Sequence, residues 1–156
     1  KDFMLNPKEY STTGNQEIDG VLNYMLQKAN ETLNQVDVQI NIPEDLYFNN
    51  FNICVILGNL VDNAVREASK SKEKLLTIKM QIKQEVLLIF IENSYSGKIL
   101  EKRNGLQTTQ PELAIHGIGL ENVKKVVIAN GGEIKIDYTS NRFCVQVLLY
   151  MSRIKN

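Results

Sequence analysis

The chain has 156 residues, 18 Lys and Arg against 18 Asp and Glu, one histidine, two cysteines and 43% hydrophobic residues. This length and apolar content fit a single globular domain with its own core and exclude a disordered chain. Zero net charge excludes a general nucleic-acid binder and a polybasic membrane anchor, and two isolated cysteines exclude a structural zinc site.

Residues 1–14 are polar, punctuated by Pro7 and Gly14, and read as a linker or the end of an upstream element. The chain opens at Lys1, without a signal peptide, which we read as a piece of a longer protein. From Asn15, a good helix cap, apolar residues fall at Ile18, Val21, Leu22, Met25, Leu26, Ala29 and Leu33, the spacing of an amphipathic helix. Val36 to Ile42 alternates apolar and polar residues and is closed by Pro43, as a strand would be. A second helix is predicted from about Phe51 to Lys70. Leu75–Ile82 and Val86–Ile91 read as strands, and the short Lys83–Glu85 connection makes them a hairpin. Val86–Ile91 is the longest apolar run, far below the roughly 20 residues of a membrane helix.

Residues 93–116 have little periodicity and hold Gly97, Gly105 and Pro111; connections of this length are usually functional or mobile. A helix from about Ile118 to Asn130 is ended by Gly131-Gly132, and Glu133–Tyr138 with Phe143–Tyr150 forms a second hairpin. Antiparallel strand pairs with helices inserted between them imply a two-layer α/β sandwich. About three helices would cover one face of a mixed, largely antiparallel sheet. Cys54 and Cys144 both lie among apolar neighbours and are expected to be buried, reduced and chemically idle.

Three segments could carry chemistry. On the second helix Asn59, Asp62, Asn63, Arg66 and Glu67 share one arc, opposite Leu57, Leu60, Val61, Ala64, Val65 and Ala68. This is either a solvated polar face or a site. Two Asn one turn apart are costly in a helix, and their neutral amides suit completion of a Mg²⁺ shell already held by phosphates. His116-Gly117-Ile118-Gly119-Leu120 precedes a helix; the glycines would let backbone approach an anion at the helix start, or simply form a turn. Ile91 to Gly97 places polar side chains at the exit of an apolar strand, where they read a ligand's edge or merely end the strand. Neither GxGxxG after a first strand nor GxxxxGK[ST] is present.

Asn59-Leu60-Val61-Asp62-Asn63-Ala64, then Asn93 with Gly97, then Gly117-x-Gly119-Leu120, in this order, resembles the GHKL ATP-binding domain of histidine kinases, type II topoisomerases, Hsp90 and mismatch-repair ATPases. Thr13 to Asp19, Ile56 to Ala64 and His116 to Val123 are similar to one subgroup, the Agr-type quorum-sensing sensor kinases of Gram-positive bacteria. The resemblance spans about residues 15–150 and implies a Bergerat-type fold, with residues 1–14 ending an upstream dimerisation region and 15–156 forming the catalytic domain.

The resemblance also implies ATP and Mg²⁺ as ligands. Asn63 takes the Mg²⁺ position, and Asn59 stands where the ATPases carry a general-base Glu. Arg66 matches a basic position near the phosphates. Asn93 and Gly97 would face the adenine, while His116, Gly117, Ile118, Gly119 and Leu120 form the second glycine box. Residues 94–116 match the lid over ATP, in which His116 would order the lid, touch a phosphate, or only pack. Asn93 replaces the usual Asp, and a neutral acceptor bonds the adenine amine more weakly, predicting weak affinity. Tyr95 replaces the first glycine of that box.

An amide at position 59 suits transfer to imidazole, which is already nucleophilic near pH 7, better than hydrolysis, which benefits from a carboxylate base. Asp62 and Glu92 are the carboxylates that could upset this argument, Asp62 being read as a structural partner. The implied partners are the chain's own dimerisation and phosphoacceptor domain upstream, in a homodimer, and a response regulator downstream. Neither nucleic acid nor membrane contact is implied for this fragment, a cytoplasmic part of a membrane-anchored sensor. A nucleotide-poor interaction module, or a soluble GHKL ATPase or anti-sigma-type Ser/Thr kinase, are the alternative readings.

Overall fold

The computed structural model describes residues 13–43, 49–96 and 118–150. Helix α1 (Gln16–Thr32) begins at Asn15, whose side chain accepts from the Ile18 N–H. Strand β1 (Gln35–Asn41) follows, then α2 (Asn50–Lys70), whose cap Asn49 accepts from the N–H groups of Phe51 and Asn52. The remaining elements are β2 (Leu75–Lys83), β3 (Val86–Ser94), α3 (Ile118–Ala129), β4 (Glu133–Tyr138) and β5 (Arg142–Tyr150).

The five strands form one mixed sheet in the order β1-β2-β3-β5-β4. β1 runs parallel to β2, and every other pair is antiparallel. A parallel neighbour needs a crossover, and α2 is that crossover. It is also the central helix, packed against both α1 and α3.

Strand alternation gives the sheet two unlike faces. Leu76, Ile78 and Met80, then Leu87, Ile89 and Ile91, then Phe143, Val145, Val147 and Leu149 are buried under the helices. Against them lie Ile18, Leu22 and Leu26 of α1, Ile53, Ile56, Leu57 and Leu60 of α2, and Leu120, Val123 and Val127 of α3. These are the α/β layers anticipated from the sequence.

The β2–β3 hairpin closes through Gln84 and Glu85, both left-handed (φ 51° and 62°), as the two-residue turns of right-twisted hairpins require. Helix α3 ends as predicted at the glycine pair. Gly131 is left-handed (φ 71°), and the Gly132 N–H donates to Val127 O at 2.9 Å. A Cβ on Gly132 would stand 2.5 Å from Leu148 O. Among the described residues, no helix is long and apolar enough to cross a membrane. The expectation of buried thiols is corrected: Cys54 and Cys144 are unbonded and only half-buried, because Cys144 sits on the uncovered face of β5.

Candidate functional site

Both α2 and β3 direct an Asn into the same narrow pocket. It is lined by Leu60, Asn63 and Ala64 of α2, Ile91 and Asn93 of β3, Leu120 of α3, and Phe143 and Val145 of β5. Its free space is about 10 Å³, roughly the room of one water molecule.

The polar arc of α2 does not behave as a solvated face. Asn63 and Glu67 are each only 5% exposed, whereas Asp62 and Arg66 reach solvent. Half-buried Asn59 donates its Nδ2 to Val55 O at 2.8 Å, satisfying one donor on its own helix. Arg66 holds two neighbours at once. Its Nη1 is 3.0 Å from Asp62 Oδ2, and its Nη2 donates to Asn63 Oδ1. Since a guanidinium only donates, the Asn63 amide must turn its oxygen toward Arg66. Asn63 Nδ2 is left buried without a partner, a state that costs about 1–3 kcal/mol.

Asn93 is the penultimate residue of β3, which runs three residues beyond the predicted end at Ile91, and it is paired in register with Leu76 on β2 and Phe143 on β5. The strand continues to Ser94 because that hydroxyl is bound on both sides. Ser71 Oγ spends its proton on Ala68 O at 2.7 Å, so Ser94 Oγ donates to Ser71 Oγ, also at 2.7 Å, and accepts from Leu75 N at 2.8 Å. This hydroxyl chain ties the end of α2 to β3. Asn93 Nδ2 donates to Ser94 O at 2.9 Å, which fixes the amide with its oxygen as the free acceptor.

Glu92 points to the opposite face, in register with Thr77 and Cys144, and cannot serve this pocket. Asp62 is engaged by Arg66. Thus no carboxylate lines the pocket among the described residues. Tyr95, which replaces a glycine of the motif, does not line the pocket but packs behind its Phe143. It is 3% exposed, its ring meets Phe143 edge-on with centroids 5.9 Å apart, and its hydroxyl donates to Thr139 O. Phe143 and Val145 were not anticipated as site residues, since only the order of strands in the sheet brings β5 beside β3.

Gly97, His116 and Gly117 lie outside the described residues, as does residues 97–116 of the expected lid. Ile118 and Gly119 open the first turn of α3, and Leu120 is 1% exposed against the pocket.

The sequence profile of the GHKL domain matches residues 48–150. The chain belongs to the GHKL domain family. No curated protein sequence matches the chain. Among solved structures, the GHKL chain is similar to the Acinetobacter baumannii histidine kinase AdeS, with 19% identity and a TM-score of 0.64, covering 87% of this chain and 64% of that one. The mycobacterial sensor histidine kinase MprB is 17% identical (TM-score 0.58), with 85% and 95% covered. The catalytic domain of histidine kinase ThkA is 19% identical (TM-score 0.62), with 94% and 99% covered. The chain thus spans just under two thirds of AdeS and nearly all of the ThkA domain. At these identities the likeness establishes the fold, that of histidine kinase ATP-binding domains, and is consistent with ATP binding.

A neutral amide oxygen suits a hard cation that already carries phosphate ligands. The residues present therefore fit Mg²⁺ in donor chemistry, Asn63 Oδ1 being the atom that would hold it.

Proposed function

We propose that this GHKL domain is the catalytic, ATP-binding part of an Agr-type sensor histidine kinase, which passes the γ-phosphoryl group of ATP to a histidine on a dimerisation helix upstream of Lys1. The observation that carries this reading is the convergence of Asn63 and Asn93 on one pocket that, among the described residues, no carboxylate lines. Asn93 Oδ1, left free because Nδ2 donates to Ser94 O, would accept from the adenine amine. Asn63 would hold Mg²⁺, which when bound neutralises phosphate charge. Arg66 would supply a second positive charge there, and Leu120, Phe143 and Val145 would exclude water from the base once the pocket widens to admit it.

Transfer breaks the bond between the γ-phosphorus and its bridging oxygen and forms a bond from phosphorus to an imidazole nitrogen, leaving ADP. Neutral imidazole needs no base to become a nucleophile, and among the described residues none lines this pocket. Hydrolysis, which does need one, is disfavoured on the same ground. Residues 1–14 then end the dimerisation region, a response regulator receives the phosphoryl group, and the domain faces the cytoplasm beneath a membrane-anchored sensor.

Calorimetric titration with a non-hydrolysable ATP analogue and Mg²⁺ tests the reading. We expect weak, saturable binding, reduced at least about tenfold by Asn63→Ala, which removes a metal ligand. Absence of binding to the unmodified chain at millimolar nucleotide, or unchanged binding by the variant, would overturn it.

A further inference from the structure

Asp62, Asn63 and Arg66 occupy one stretch of α2, and in this structure they are committed to one another. Arg66 covers Asn63 Oδ1, the only atom of that side chain able to bind a cation, while Asp62 holds Arg66 in place from 3.0 Å. The arrangement leaves a second mark: Asn63, 5% exposed, has its Nδ2 buried with no partner. A side chain that loses a hydrogen bond on one end while the other end is capped is poised to rearrange.

We propose that Asp62 is a positioning residue that parks Arg66 on Asn63 when the site is empty. Mg²⁺ and Arg66 compete for one oxygen, so Mg-nucleotide binds only when Arg66 lets go. Released, the guanidinium is free for the phosphates and the Asn63 amide is free to turn. Asp62 thereby sets the threshold of nucleotide concentration at which the site fills. The Asp-to-Arg spacing of four residues has the favourable orientation on a helix. Both side chains are well exposed (64% and 46%), so the latch is weak enough to be reversible. This inference rests on the proposed nucleotide site and concerns its regulation.

The test is a double-mutant cycle read by calorimetry with the Mg²⁺ complex of a non-hydrolysable ATP analogue. Asp62→Asn keeps the shape and removes the charge. We expect it to tighten binding about two- to fivefold, the worth of an exposed ion pair. In an Arg66→Ala background the same substitution has no further effect, because there is nothing left to park. Weaker or unchanged binding by Asp62→Asn overturns the proposal, by making Asp62 a ligand or a bystander. Equal tightening in both backgrounds also overturns it, since Asp62 would then merely repel the phosphates. Failure of the unmodified chain to bind any nucleotide would instead sink the site itself.

Discussion

Asn93 depends on its own neighbour for its orientation, and this makes it easy to probe. Its Nδ2–H is the donor to Ser94 O, and the side chain is 3% exposed. Asn93→Asp would present the carboxylate usual in the family, yet it removes that donor and buries a charge. We expect the nucleotide-free domain to lose about 1–3 kcal/mol at neutral pH. The loss should shrink as pH falls, because a protonated carboxyl can again donate to Ser94 O. Thermal unfolding at two pH values checks this, and an unchanged melting temperature at neutral pH would contradict it. The identity of Asn93 was legible in the sequence, but its orientation was not, since that depends on where β3 ends.

Helix α2 was the most legible element: its span, buried stripe and amide pair all follow from spacing. What spacing could not tell is that Glu67 and Asn63 turn inward while Asp62 and Arg66 remain outside. That division depends on where α1 and α3 lie against α2. The β2–β3 hairpin was equally visible, although its turn residues are a poor choice. Gln84 and Glu85 both carry a side chain into left-handed backbone (φ 51° and 62°), at a cost that Asn and Gly largely avoid. The double substitution Gln84→Asn, Glu85→Gly should raise stability by about 1 kcal/mol, seen as a higher denaturant midpoint with an unchanged slope. A lower midpoint would mean that these side chains have partners worth more than the strain.

For the molecule as a whole, the sequence order already implied one sheet with helices on one side. The strand order did not follow, because β5 inserts between β3 and β4 and so completes the pocket with Phe143 and Val145. The same insertion sets Cys144 between Glu92 and Asp137 on the uncovered face. Burial, followed by those two carboxylates, pushes its thiol up to about 11 from 9.0. A raised folded-state value means that the neutral thiol favours folding below pH 9 and that this contribution fades as pH rises toward about 11. Cys144→Ala should therefore flatten the alkaline fall in stability across that window. Equal slopes for the two proteins in pH-dependent unfolding would show that the thiol is uncoupled from folding.

The two-residue turn at Gln84-Glu85 stands eight residues from Asn93, about 27 Å along an extended strand. It nevertheless works as the reading frame of the site. Side chains on β3 alternate between faces, so sliding that strand by a single residue would withdraw the amide and deliver Glu92 or Ser94 to the pocket. In the slip that turns Glu92 inward, a carboxylate would line the pocket where the neutral amide of Asn93 lines it now. The chemistry available to the domain is thus spelled partly by the length of a loop that never comes near it.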